Sequence, residues 1–94
     1  MNCQNIVFSD HAISQMFKRN ISVDDVMSII ERGEVIQEYP DDKPYPSLLL
    51  LGYTNLRALH IVLAKEKLEN RCIIVTAYEP STDIWNPDYK TRKK

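Results

Sequence analysis

"RALHIVLAKEKLENRCIIVTAY", residues 57–78, is two apolar runs around a short charged break. The runs 57–65 and 71–78 are rich in aliphatic and β-branched residues and are of strand length. The break "EKLEN" (66–70) has the length of a hairpin loop. Two antiparallel strands follow. Upstream, "SLLLLGY" (47–53) is a continuous apolar run that reads as a buried strand, and "TNL" (54–56) is a tight connection. "EVIQEY" (34–39) alternates weakly, as a strand does. "PDDKPYP" (40–46) carries three prolines and can only be loop. The expectation is a four-stranded antiparallel meander.

Two helices precede it. In "DHAISQMFKR" (10–19), Ala12, Ile13, Met16 and Phe17 fall within an arc of about 140°, and His11, Ser14, Gln15, Lys18 and Arg19 fill the other. Asn20 ends this helix, because Asn tolerates the left-handed conformation. A second helix over 22–32 opens on Ser22 as N-cap, with Asp25 completing a capping box. Ile21 and Val26 make a hydrophobic staple, and Gly33 supplies the stop. No helix-length segment separates the strands, which disfavours βαβ units. The chain therefore reads as a single α+β domain spanning 1–94, its two helices packed on one face of the sheet.

Alternation sorts residues onto the two faces. Leu59, Ile61, Leu63, Ile73, Val75 and Ala77 form the face expected to receive the helices. With Lys65 opposite Arg71, His60 lies opposite Thr76 and Tyr78 opposite Ala58. His60, Thr76 and Tyr78 then share the other face; a one-residue slip separates them. Two readings of His60 stand side by side: a core histidine with satisfied nitrogens, or a site residue on an open sheet face. Trp85 is likewise either a lid over a sheet edge or a base-stacking aromatic.

At 94 residues, 44% hydrophobic and 27% charged, the composition is that of an ordinary globular domain. Net charge is −1, but residues 24–42 hold seven acids and one base, whereas 57–94 hold eight bases and five acids. The second segment permits a basic face that meets phosphate. Residues 87–94 are expected to be a solvated, disordered basic tail. No apolar run reaches the roughly 18 residues of a membrane span, and "MNCQNIVFSD" lacks the regions of a signal peptide. Cys3 and Cys72 lack metal-ligand spacing, and Cys72 is expected to be a reduced, buried thiol in a cytoplasmic protein. Two histidines without H-x-x-x-H spacing, and no acidic cluster beside them, argue against a metal enzyme; no cofactor is expected.

The stretches "SDHAISQMFKRNIS", "IERGEVIQEYPDD", "LLLLGYTNLRALHIV" and "IIVTAYEPSTDIW", in this order and spacing, resemble the domain of unknown function 4258, over roughly residues 8–86. That small bacterial family is related in fold to RelE- and BrnT-like toxins of the barnase–EndoU–colicin–RelE group. One departure is "KRN" before Ile21, where Arg-Gly is expected; Arg19 remains the matching basic residue. The resemblance implies a type II toxin-like, metal-independent endoribonuclease. Its implied partners are RNA, ribosome-bound mRNA included, and a cognate antitoxin with a YgiT/MqsA-type zinc finger. Cleavage by 2′-OH attack needs a base, a cation for the phosphorane and an acid. The matching positions supply His60 and His11 as acid–base candidates and Tyr78 as an orienting or proton-donating hydroxyl. Arg19 and Arg57 are the phosphate clamps, with Lys18 and Thr76 as further RNA contacts. Arg57 and His60 point to opposite faces of a regular strand, so Arg57 joins the site only through a twist or bulge. The competing expectation is a non-catalytic protein-binding module whose "SLLLLGY" strand, if at an edge, accepts a partner strand.

Overall fold

In the computed structural model, which describes residues 3–54 and 56–93, the elements are β1 (Asn5–Phe8), α1 (Asp10–Arg19), α2 (Val23–Arg32), β2 (Glu34–Tyr39), β3 (Ser47–Thr54), β4 (Arg57–Glu66) and β5 (Arg71–Tyr78). The connection expected at "TNL" includes Asn55, which lies outside the described residues, as do Met1, Asn2 and Lys94 of the two ends.

Both helices start and stop as their caps dictate. Ser9 accepts from the Ala12 N–H, and Asn20, at φ 55°, closes α1 with its own N–H on the Met16 and Phe17 carbonyls. Ser22 and Asp25 form the reciprocal capping box of α2. Gly33 ends α2 in an extended conformation, not a left-handed one. Its requirement is space: a Cβ there would lie 2.5 Å from the Ile29 carbonyl oxygen and 2.9 Å from that of Leu51.

The sheet has five strands, not the expected four, in the order β1-β5-β4-β3-β2. β2 to β5 form the meander, and β1 adds to β5 in parallel. At four residues, with only partial burial, β1 leaves a weak periodic trace in "NIVF". β3 is therefore central, and the strand-addition site expected on an edge "SLLLLGY" does not exist.

The β4–β5 register also differs. Glu66 pairs with Arg71, one residue further into the loop than expected. The Glu66 carboxylate explains this: it accepts from the Leu68 and Glu69 N–H groups and from Arg71 Nε, closing the turn around itself. A bulge at Val75 then adds a second residue of shift, so Val62 faces Thr76 and His60 faces Tyr78. Two shifts restore the parity that one would break. His60, Thr76 and Tyr78 still share a face, but Cys72 and Ile74 replace Ile73 and Val75 on the helix side.

That helix side is the main core. Leu48, Leu50, Leu59, Ile61, Leu63, Cys72, Ile74 and Ala77 meet Ala12, Met16, Val26, Ile29 and Ile30. α1 uses only part of its apolar arc, since Ile13 is 47% and Phe17 90% exposed. The opposite face is buried as well, through Leu49, Leu51, Ala58, His60 and Ala64. This accounts for the unbroken run Leu48–Leu51: with both faces covered, no position alternates to polar.

The second cover is the C-terminal segment. Residues 84–93 turn back as a strap, pairing Trp85 with Arg92 and bonding Asn86 to Thr91 and Lys93 to Ile84. Lys90 joins Glu34 at 3.0 Å. The expected disordered tail is thus a folded part of the domain through Lys93. Cys3 and Cys72 form a disulfide, which ties the chain just before β1 to β5 and corrects the expectation of a free thiol.

Candidate functional site

β1 pairs with β5 only along Arg71–Ile74, so the outer edge of β5 is open beyond it. Two side chains from the α1 region use the free edge carbonyls: Ser9 Oγ donates to Val75 and Arg19 to Ala77, the latter at 2.8 Å. Arg19 thereby reaches around the edge from the helix layer. On the other side it meets a cleft of about 560 Å³ lined with Tyr78, Glu79, Ser81, Trp85 and Arg92. Arg92 arrives from the strap, with its guanidinium 5.3 Å from the Trp85 ring centroid. Among the described residues neither arginine is in an ion pair, so both charges are available to an anion.

His60 lies directly beneath this cleft and is fully buried. Its Nε2 is 2.8 Å from the Tyr89 carbonyl oxygen, which can only accept, so the ring hydrogen is on Nε2. Nδ1 then accepts from the Tyr78 hydroxyl at 3.2 Å. Tyr78 and Trp85 pack edge-on against the ring at centroid distances of 5.3 and 4.6 Å. Burial pushes the His60 pKa below its ordinary value, against the opposing pull of the Tyr89 carbonyl. Burial, with Tyr39 nearby, raises that of Tyr78, while Arg92 and Arg19 act to lower it. The result is a neutral, oriented imidazole accepting a hydrogen bond from a phenol on the cleft wall.

The remaining candidates are elsewhere. Arg57 bonds the Arg19 and Asn20 carbonyls at the C-terminal end of α1 and lies 4.0 Å from Asp25 and 3.8 Å from Glu79. It joins the two helices to β4 on the face away from His60. His11 and Lys18 are exposed on α1, in the helix layer, with the sheet between them and His60. Thr76 is half-buried opposite Val62, on the Tyr78 side of the sheet. The structure thus gathers His60, Tyr78 and Arg19, leaves His11 across the sheet, and keeps Arg57 off the cleft wall, bonded behind it to the Arg19 backbone and to Glu79. Arg92 is the addition that sequence reasoning left in the tail. The run "YKTRKK" shows its charge, but nothing local indicates where the strap will carry it. Among the described residues no group of three or more His, Cys, Asp or Glu side chains is placed to hold a metal ion.

Residues 8–79 match the family described as "Domain of unknown function (DUF4258)". The chain belongs to this family. No curated protein and no solved structure matches it closely enough to count as a relative. Within the DUF4258 segment lie α1, α2, β2 to β5 and the residues Arg19, His60, Tyr78 and Glu79. The strap lies beyond it, so Trp85 and Arg92 complete a cleft that the DUF4258 segment only begins, and the Tyr89 carbonyl holds His60 beneath it.

Proposed function

We propose that this protein is a toxin-like, metal-independent endoribonuclease acting at the Arg19–Tyr78–Arg92 cleft. The observation that supports this most is the convergence of two arginines, unpaired among the described residues, on a tyrosine whose hydroxyl is bonded to a buried, neutral histidine. Arg19 and Arg92 would clamp the scissile phosphate and stabilise the dianionic phosphorane. Tyr78 Oη would take the 2′-OH proton while its own proton passes to His60 Nδ1. The imidazolium so formed keeps Nε2–H on the Tyr89 carbonyl, and the phosphate charge nearby favours it. The 2′-oxygen attacks phosphorus, and the 5′-oxygen leaves with a proton from solvent in the open cleft. The products are a 2′,3′-cyclic phosphate and a 5′-hydroxyl.

Incubation of the purified chain with single-stranded RNA tests this by the chemistry of the new ends. Cleavage to cyclic-phosphate ends, lowered about 100-fold or more by Arg19→Ala and by Arg92→Ala, is the expected result. RNA left intact, or cut by both variants as fast as by the unmodified chain, refutes it. The biological setting in this reading is cytoplasmic, with an antitoxin encoded alongside. Growth arrest on induction, relieved by coexpressing the neighbouring frame, is its test.

A second reading, a protein-binding module, draws on the helices. Ile13, Phe17, Val23 and Met27 leave apolar surface in solvent, with Phe17 nearly bare. A partner covering them is compatible with catalysis on the other side of the sheet.

A further inference from the structure

The Trp85–Arg92 pair is a wall shared by two cavities. One is the cleft with Arg19 and Tyr78. The other, about 410 Å³, is lined by Gln37 and Tyr39 of β2 and by Lys90 and Thr91 of the strap. Both volumes fall in the range of small-ligand pockets, roughly 300–1,000 Å³. The second cavity combines an aromatic ring (Tyr39), the Arg92 guanidinium, the Lys90 ammonium that Glu34 shares, and the Gln37 amide, while the Thr91 hydroxyl on its wall is already engaged by Asp88 and Asn86. These are the groups that hold a nucleotide: a ring for the base to stack on, cations for the phosphate, and hydrogen-bonding groups for a base edge.

We infer that the second cavity is the adjacent nucleotide subsite of a single-stranded RNA groove, with Arg92 on the ridge holding the phosphate between the two. The inference rests on the reading of the first cleft as RNA-binding. Lys90 is tied to Glu34 at 3.0 Å, which holds the ammonium beside the cavity but offsets its charge, so Arg92 is the main phosphate cation and Lys90 a secondary one. A duplex has its bases paired inside and cannot place one on Tyr39, so the preferred substrate is single-stranded and at least a dinucleotide.

Trp85, the chain's single tryptophan, stands between the cavities and reports on both through its fluorescence. The probes are uridine 3′-monophosphate and a 2′-O-methyl tetranucleotide, which cannot be cleaved because it lacks the attacking hydroxyl. The full chain is expected to bind the tetranucleotide at least about tenfold more tightly than the mononucleotide. Tyr39→Ala should collapse that ratio to below about threefold, whereas Tyr39→Phe, which keeps the ring, should preserve it. Lys90→Ala, an exposed change that spares the core, should lower the ratio on its own. Arg19→Ala should weaken both ligands together. Binding of the mononucleotide through Arg19 with no length advantage, or an advantage untouched by Tyr39→Ala and Lys90→Ala, overturns the second subsite alone. Binding of neither ligand overturns the first cleft's reading with it.

Discussion

The Tyr78 hydroxyl donates to Nδ1 of His60 at 3.2 Å, while Nε2 of the same ring is spent on the Tyr89 carbonyl. Each partner fixes the other: the carbonyl sets the tautomer, and the tautomer makes Nδ1 the acceptor that Tyr78 requires. Tyr78→Phe removes the phenol hydrogen bond and leaves the ring in place. It should cost about 1 kcal/mol in unfolding experiments. If the pair relays a proton, RNA cleavage should fall far more than binding, with KM for RNA nearly unchanged. A loss confined to KM would make Tyr78 a binding residue only.

The His60 pKa is lowered in the folded chain by burial. The unfolded chain therefore holds more protons than the folded one below about pH 6.5, the ordinary histidine value. Stability should be fully present above that pH, decline as pH falls from it toward the folded pKa, and level off beneath. Thermal melts between pH 7.5 and 5 should show this slope, and His60→Gln should flatten it. By the same direction, the acid limb of any cleavage rate should lie below pH 6.5, because His60 stays neutral and able to accept a proton.

Arg57 binds carbonyls at the end of α1 and two carboxylates, and does not line the cleft. Arg57→Ala should lower stability by roughly 1–3 kcal/mol, the scale for losing charge-assisted hydrogen bonds. The affinity of the remaining folded protein for uridine 3′-monophosphate should barely move, in contrast to Arg19→Ala. Equal loss of affinity in both would place Arg57 at the phosphate.

The Cys3–Cys72 disulfide closes a span of 69 residues. Chain-entropy arguments put such a closure at roughly 4 kcal/mol. Reduction with dithiothreitol, or Cys3→Ala with Cys72→Ala, should lower the melting temperature and loosen β1 first, seen as faster amide exchange over Asn5–Phe8. Thiol titration of protein isolated from the cell under rapid alkylation tells which form acts there, since a reducing cytoplasm keeps cysteines free. Two titratable thiols in the native isolate would mean that the domain holds together without this bond.

Gly52 allows α2 to approach the sheet, since a Cβ at this position would lie 2.4 Å from Ile29 Cγ1. Gly52→Ala should destabilise by about 1–3 kcal/mol through overpacking, measurable as a lower denaturant midpoint.

Local pattern alone was enough for α1, α2 and four of the five strands, because caps, prolines and apolar runs act over a few residues. Asn20, Ser22 with Asp25, and "PDDKPYP" each dictate a boundary through their own backbone chemistry. The shared face of His60 and Tyr78 was expected from the wrong register and survives because two one-residue shifts restore the parity. β1 escaped because four residues, two exposed and two half-buried, carry little periodicity and draw their stability from pairing with Arg71–Ile74, far along the chain. The β4–β5 register escaped because a carboxylate, Glu66, closes the turn, and a bulge at Val75 resets the pairing. The candidate site was half visible. Arg19, His60 and Tyr78 were named from the chain, but their meeting depends on an open strand edge that lets Arg19 around the sheet. Arg92 joins them only because the strap folds back over a second apolar face, driven by burial of Trp85 against His60. Sequence determined which segments form helices and strands and which residue types were available for chemistry. Tertiary structure decided which of them share a cleft, because long-range pairing and burial, not local propensity, bring positions 19, 60, 78 and 92 together.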